Sequence, residues 1–205
     1  MSRKRYSTSF KTGNGLFSRE SVNLASLYME LGDWNVVRDK VVSENLLQFR
    51  TQNTLKRFCS EVISRLKTLS FDELRLLVET NPREQRYLLW IALCRRYSFI
   101  ADFAIEVLRE RYISLKFNLN YEDFDSFFNS KSEWHPELDR VHPRTRASVR
   151  QVLFRILREA DLLTVDNVIN AAMLSPRLLE AMPRGKRRDL LFFPAFEADL
   201  RQVAQ

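Results

Sequence analysis

Apolar residues recur at the spacing of amphipathic helices over the N-terminal third of the chain. The first stripe predicts a helix that Ser18 caps and that runs to about Leu31. Gly32 is placed to end this helix, and Asp33 to cap a second helix over "WNVVRDKVVSENLL". A further stripe predicts a third helix over "TLKRFCSEVISRLKTL", whose other face is mostly cationic. The first stripe consists of Leu24, Leu27, Tyr28 and Leu31.

Helix-start signals continue the pattern in the middle of the chain. Ser70 and Glu73 have the spacing of a capping box and predict a fourth helix. Asn81 and Glu84 have the same spacing at the start of a fifth helix. Pro82 occupies the first position of this helix, where proline is favoured. This fifth helix is apolar on most sides, which predicts a central, buried element.

The second half of the chain changes character after a sixth amphipathic helix, expected over residues 99–117. Acids, aromatics, serine and asparagine are mixed over residues 118–142, which we interpret as a connector. A long helix is expected over residues 144–163, followed by two short helices over "TVDNVINAAML" and "SPRLLEAM". With the glycine-centred basic loop "RGKRRD", this pattern is typical of a helix-turn-helix with a small wing, whose strands would be "LLTV" and "LLFF".

Composition favours the same helical fold class. Only four of the 205 residues are glycine, no proline precedes Pro82, and 45% of the residues are hydrophobic, enough for a substantial core. We therefore predict an all-α, multi-helix protein with a C-terminal helix-turn-helix, with or without a wing. The predicted segments are a basic N-terminal arm over 1–15, a helical domain over 16–117, the connector over 118–142 and a helix-turn-helix-like domain over 143–205.

The charge balance predicts an anionic partner. The net charge is +7 and the pI is about 9.6. The charge is uneven: residues 1–69 carry 12 basic and 6 acidic side chains, residues 70–135 carry 9 and 11, and residues 136–205 carry 12 and 9. Two basic ends around a slightly acidic middle favour nucleic acid as the first candidate partner.

The sequence contains no recognisable catalytic or metal-binding motif. Its two histidines, His135 and His142, and its two cysteines, Cys59 and Cys94, lack the spacing of zinc ligands. We interpret the acids in "YEDFDSF" as a helix start and the cysteines as buried thiols of a reducing compartment. The apolar run "YLLWIALC" is too short to cross a bilayer. We therefore expect a cytoplasmic protein without enzymatic activity, cofactor, small-molecule substrate or membrane partner.

The stretch "RTRASVRQVLFRILREADLL" is the first candidate nucleic-acid site. On a helical wheel, Arg144, Arg155 and Arg158 lie opposite the apolar arc, whereas Arg146 and Arg150 lie at its edge. An ordinary solvated face would interleave acids with these cations. The pattern alone leaves two interpretations open, contact with DNA or ion pairs with acids elsewhere in the fold, for instance over residues 121–133.

Two further basic clusters favour nucleic acid. A loop tip that carries four cations suits phosphate contact, although a solubilising loop has the same composition. The N-terminal cluster is either an arm that reaches a groove or a disordered end. Arg177, on the second short helix, is the candidate for contact with base edges. The loop cluster consists of Arg184, Lys186, Arg187 and Arg188, and the N-terminal cluster of Arg3, Lys4 and Arg5.

Longer stretches of the chain carry a family resemblance. They are "YSTSF", "GLFSRESVNLASLYMELGDWNVVRDKVVSENLLQFRTQNTLKR", "RYLLWIALCRRYSFIADFAIEVLRERY", "RQVLFRILREADLL" and "LSPRLL". These stretches resemble the BrxA family, a small component of the BREX bacteriophage-exclusion systems of bacteria. The resemblance implies a helical protein of NusB-like shape with helix-turn-helix elements, which binds double-stranded DNA beside other BREX proteins. Two alternatives remain, a protein-interaction adaptor and an RNA-binding protein, the latter by analogy with NusB.

Overall fold

The predicted helical periodicity is matched by helices along most of the chain. The computed structural model describes residues 6–7 and 15–196. The helices, numbered in chain order, are α1 (Ser18–Leu31), α2 (Trp34–Ser43), α3 (Gln52–Leu66), α4 (Phe71–Glu79), α5 (Pro82–Arg96), α6 (Ser98–Phe103), α7 (Glu110–Ile113), α8 (Tyr121–Ser132), α9 (Pro136–Asp139), α10 (Pro143–Glu159) and α11 (Pro176–Ala181). A π-helical segment (Ala104–Arg109) joins α6 to α7, and a 3₁₀ helix (Arg184–Phe192) follows α11.

The end of α1 and the start of α2 fall where the sequence signals place them, but the predicted cap of α1 was wrong. Ser18 is the first residue of α1, and the N-cap is Phe17, which makes no side-chain capping hydrogen bond. Gly32 adopts a left-handed conformation with φ 72°, and its N–H donates to the carbonyl of Tyr28 at 2.8 Å, which ends α1. The side chain of Asp33 accepts a hydrogen bond from the N–H of Asn35 at 2.6 Å and caps α2. The chain therefore turns sharply between two short helices that pack together.

The starts of α4 and α5 are also confirmed, with one difference. Ser70 and Glu73 form the reciprocal capping box that begins α4. Asn81 accepts hydrogen bonds from the N–H groups of Arg83 at 3.0 Å and Glu84 at 3.2 Å. Glu84, however, accepts from the hydroxyl of Thr80, so the second capping motif is not reciprocal.

Helix α5 lies at the centre of the fold, as its apolar composition predicts. It packs against α1, α3, α4, α6 and the 3₁₀ helix. Trp90, at its midpoint, is fully buried. The indole N–H of Trp90 donates to the carbonyl of Phe192 at 2.9 Å, which satisfies the one polar atom of the ring. The buried residues of α5 are Glu84, Tyr87, Leu88, Leu89, Trp90, Ile91, Ala92, Leu93 and Cys94.

The expected sixth helix is interrupted and shorter than predicted. A π-helical turn occupies Ala104–Arg109, and the last α-helical residue is Ile113. Leu115 then takes a left-handed conformation with φ 60°, which ends the helical path before residue 117.

The aromatic connector packs on the N-terminal helices through its phenylalanines. The ring of Phe127 lies 5.3 Å from that of Phe99 and 5.4 Å from that of Phe103, both in edge-on geometry. Phe124 and Phe128 of the same helix also contact Phe99. Edge-to-face aromatic pairs of this kind stabilise the join between α8 and α6. The division into four segments stays a prediction.

The first of the two short C-terminal helices is not formed, and that prediction was wrong. Residues 164–174 form turns and two isolated bridges instead. The N–H of Ile169 donates to the carbonyl of Phe117 at 2.7 Å, and Asn167 adopts a left-handed conformation with φ 63°. The β-branched residues of "TVDNVI" and its Asp-Asn pair favour this turn over a helix.

The expected wing is corrected as well. Within residues 15–196 the structure contains no strand longer than an isolated bridge, so neither "LLTV" nor "LLFF" forms one. The basic "RGKRRD" stretch is the first part of the 3₁₀ helix and not an open loop. The second part of this 3₁₀ helix is fixed by burial, because Leu190 and Phe192 enter the core beside α5 and the π-helical segment.

A buried ion network joins α5 to α4 and to the 3₁₀ helix. Arg95 donates two hydrogen bonds to the carboxylate of Glu73, both at 2.7 Å, and its Nε donates to Asp189 Oδ2 at 2.6 Å. The side chains of Arg95 and Glu73 are 7% and 0% exposed. Burial lowers the pKa of Arg95, but the hydrogen bonds and charge of Glu73, with those of Asp189, reverse this and raise the pKa above its usual value.

We expect the substitution Arg95→Met to lower the free energy of unfolding by about 3–5 kcal/mol, because it leaves a buried carboxylate without its cation. Urea unfolding measures the change. The matched control is Arg75→Met, which removes an exposed i,i+3 pair with Asp72 and should cost less than about 1 kcal/mol. Equal losses in the two variants would contradict a structural role for the buried network.

Candidate nucleic-acid interface

The 3₁₀ helix is docked on the bundle through every third residue. Side chains three apart lie above one another in this kind of helix. Lys186 Nζ donates to the carbonyl of Thr68 at 3.2 Å, Asp189 binds Arg95, and the carbonyl of Phe192 accepts from Trp90. The stretch predicted as a basic loop is therefore fixed against the ends of α3 and α5.

The other cations of this stretch are its three arginines. Arg184, Arg187 and Arg188 are exposed. Within residues 15–196, none of the three forms an ion pair with a carboxylate. Lys186 is exposed too, although its ammonium group is bonded to the Thr68 carbonyl. All four cations predicted from the "RGKRRD" cluster are thus available at the surface.

Two exposed cations from the N-terminal half are sequence neighbours of residues that bind this stretch. Lys67 is exposed and directly precedes Thr68, the residue that Lys186 contacts. Arg96 is exposed, follows Arg95, and donates from Nε to Ser64 Oγ at 3.2 Å. We call the group the basic surface; it consists of Lys67, Arg96, Arg184, Lys186, Arg187 and Arg188.

Neither Lys67 nor Arg96 was identified as a site residue from the sequence. Lys67 was visible only as part of the cationic face of the third helix, and Arg96 only as a flank of the apolar run in α5. Their relation to the 3₁₀ helix follows from contacts of their neighbours: Lys186 with Thr68, 118 positions apart, and Asp189 with Arg95, 94 positions apart. No local spacing signals such a contact.

The two edge arginines of α10 form intramolecular ion pairs. Arg146 Nε donates to Asp125 Oδ1 at 3.1 Å, and its Nη2 donates to the Asp125 carbonyl at 2.8 Å. Arg150 binds the other oxygen of the same carboxylate. The guanidinium of Arg146 also lies 4.7 Å from the ring centre of Phe128, a cation–π distance. These contacts join α10 to α8, which is the pairing with residues 121–133 left open by the sequence.

The outer arginines of α10 differ among themselves. Arg144 and Arg155 are exposed, whereas Arg158 is half-buried and donates to Asn167 Oδ1 at 2.6 Å. Arg158 therefore binds the turn that replaces the predicted short helix. Only Arg144 and Arg155 of the five arginines lie fully at the surface.

Arg177 lies in a largely acidic setting. It lines a cavity of about 290 Å³ together with Asp72, Glu79 and Glu180, and with a second arginine, Arg75. Three carboxylates against two guanidinium groups make this cavity less favourable for a phosphate than the basic surface. Its contact with base edges stays a prediction.

The N-terminal cluster Arg3, Lys4 and Arg5 lies outside the described residues, but the next residue is well anchored. The hydroxyl of Tyr6 donates to Asp102 Oδ2 at 2.5 Å, and its N–H donates to Glu137 Oε1 at 2.8 Å. Burial, and then the hydrogen bond to Asp102, raise the pKa of the Tyr6 phenol far above its usual value. Tyr6 therefore stays a neutral hydrogen-bond donor at this contact.

In the part of the chain that the structure describes, no group of three or more histidine, cysteine, aspartate or glutamate side chains could hold a metal ion. None of the helices there has the length and apolar character needed to cross a membrane.

The comparisons with known proteins agree with the resemblance in the sequence. A family model described as BrxA matches residues 4–185. BREX protein BrxA of Escherichia coli O9:H4 (strain HS) is 29% identical over 181 residues, which are 87% of this chain and 85% of that protein. BREX protein BrxA of Bacillus cereus (strain H3081.97) is 27% identical over 124 residues, 60% of this chain and 62% of that protein.

A solved structure has the same fold. The crystal structure of an uncharacterized protein from Magnetospirillum magneticum matches with a TM-score of 0.79, covering 93% of this chain and 98% of that chain. At 18% identity this likeness concerns the fold alone. Because the family model spans residues 4–185, most of the sequence, the chain belongs to the BrxA family.

Proposed function

We propose that this BrxA-family chain is a cytoplasmic, non-enzymatic component of a BREX phage-defence system and binds double-stranded DNA through phosphate contacts. The name of the matched relatives, BREX protein BrxA, supports the defence system and other BREX proteins as partners. The main support for DNA binding is the basic surface, which brings six exposed cations together on one docked helix and the adjoining helix ends.

The chemistry of the basic surface suits a phosphate backbone. Its cations are two lysines and four arginines, and none of the four arginines forms an ion pair with a carboxylate within the described residues. Lysine and arginine positioned in this way neutralise phosphates and release counterions, so binding depends steeply on salt and little on sequence. The docked 3₁₀ helix also holds these cations in place before DNA arrives, which lowers the entropic cost of binding.

The arginine helix contributes less to the proposed site than its sequence indicates. Arg146 and Arg150 are engaged with Asp125, and Arg158 with Asn167. Using them for phosphates would break contacts that hold α10 to its neighbours. Arg144 remains as an exposed cation of this helix that could add a phosphate contact.

Replacing Arg184, Lys186, Arg187 and Arg188 together by serine should weaken duplex binding. Each lost phosphate contact should reduce the slope of log K against log salt concentration by about 1. Fluorescence anisotropy with a labelled duplex over a salt series measures both quantities, and circular dichroism checks the fold.

The control for the serine variant removes the same charge elsewhere. Serine at Arg38, Arg50, Lys56 and Arg57, all exposed on α2, α3 and the segment between them, should leave the salt slope nearly unchanged. Equal slopes in the two quadruple variants would remove the basic surface from the DNA site. Competition by single-stranded DNA or RNA as effective as by duplex would favour the RNA-binding alternative.

A second pair of variants separates structural from DNA-binding arginines on α10. Arg146→Ala leaves a partly buried Asp125 with fewer donors and should lower the free energy of unfolding by about 1–2 kcal/mol. Arg144→Ala, two residues earlier on the same helix and without a carboxylate partner among the described residues, should change it by less than about 0.5 kcal/mol. Urea unfolding and duplex affinity are measured for both. A large affinity loss in Arg146→Ala with unchanged stability would reverse this assignment.

A further inference from the structure

We propose that Asp189 is a positioning residue of the basic surface, which holds the 3₁₀ helix so that its cations stay beside Lys67 and Arg96. This inference rests on the proposed DNA binding. Asp189 is the single acid in the sequence "RGKRRDLLF" of that helix. A carboxylate next to four cations would by itself oppose phosphate binding through its charge. Its presence there therefore calls for a physical role.

The charge of Asp189 is taken up by the buried network and not by the neighbouring cations. Its Oδ2 accepts from Arg95 Nε at 2.6 Å, and the Asp189 side chain is only 15% exposed. Arg95 is in turn held by both oxygens of Glu73, which is fully buried. None of Arg184, Lys186, Arg187 and Arg188 pairs with Asp189. All four exposed cations therefore keep their full charge for an external anion.

The position of Asp189 along the 3₁₀ helix suits it to hold that helix on the bundle. It is the middle one of three contacts, at Lys186, Asp189 and Phe192, that repeat every third residue along the 3₁₀ helix. The Phe192 contact anchors the C-terminal end through Trp90. The Lys186 contact, from an exposed ammonium group to a carbonyl, is weak in water. Asp189, which binds a fixed guanidinium, is thus the contact that keeps residues 184–188 docked.

Substitutions of Asp189 distinguish a positioning role from a purely electrostatic one, because the two roles predict opposite changes in DNA affinity. Asp189→Ala and Asp189→Asn each remove a negative charge next to the proposed phosphates, so electrostatics alone would tighten DNA binding. Loss of positioning would weaken it, because the released cations must then be ordered on binding. We expect about fivefold weaker duplex binding and a smaller salt slope for Asp189→Ala. Asp189→Glu, which keeps the carboxylate, should restore part of the affinity.

The control variant is Asp166→Ala. Asp166 is exposed in the turn of residues 164–167 and forms no ion pair within the described residues. Its removal changes the net charge by the same amount without releasing the 3₁₀ helix. Asp166→Ala should bind duplex as tightly as the unchanged chain, or slightly tighter. All measurements are made on the full chain, well below the melting temperature of each variant.

Limited trypsin digestion provides a readout that needs no DNA. Residues 184–188 offer four cleavage sites, which docking should protect. We expect at least about fivefold faster cleavage within this stretch in Asp189→Ala than in Asp166→Ala, identified by fragment masses. Unchanged cleavage together with unchanged or tighter duplex binding would overturn the positioning role. Absence of duplex binding by the unchanged chain would instead overturn the proposed function and with it this inference, whatever the digestion shows.

Discussion

The carboxylate of Glu73 holds α4, α5 and the 3₁₀ helix in their relative positions. Glu73 is fully buried, and it accepts hydrogen bonds from the N–H of Ser70 at 2.7 Å and from two nitrogens of Arg95. A buried carboxylate is tolerated only when donors of this kind surround it. The first hydrogen bond begins α4, the next two hold the end of α5, and the remaining nitrogen of Arg95 binds Asp189. One local capping motif thus determines where a distant C-terminal helix can dock.

Local signals predicted the N-terminal helices because those helices begin and end through local chemistry. The left-handed Gly32, the Asp33 cap and the Ser70 box each join residues that are no more than four positions apart along the chain. The turn around Asn167 could not be located in the same way, since besides its local hydrogen bonds it is held by hydrogen bonds to residues 117 and 119, which no local spacing signals. Its β-branched residues and Asp-Asn pair were visible, but an apolar spacing that also fits a helix was given more weight.

In the candidate site, too, local sequence signals predicted some residues, whereas others are placed only by tertiary contacts. The exposed cations at Arg184–Arg188 were found from composition alone, because a dense run of cations is a local property. Lys67 and Arg96 were missed, since only tertiary contacts place them beside that run. The helical wheel did separate the edge position of Arg146 from the open position of Arg144, and the structure pairs Arg146 with Asp125. Amphipathic geometry therefore separates these two arginines, but it predicts neither the acid that Arg146 meets nor the contact of Arg158, which the wheel placed on the open face, with Asn167.

In this basic protein the positions of the acids determine which exposed cations keep an uncompensated positive charge. Asp189, Asp125 and Glu159 are each used inside the fold, by Arg95, by two arginines of α10 and by the N–H of Leu16. An acid that is hydrogen-bonded within the fold acts mainly on its own partner and has little effect on other cations at the surface. The net charge of +7 is therefore a poor guide to the surface. At the 3₁₀ helix, the single acid binds Arg95 and forms no ion pair with the neighbouring exposed cations, which is an arrangement that attracts a polyanion.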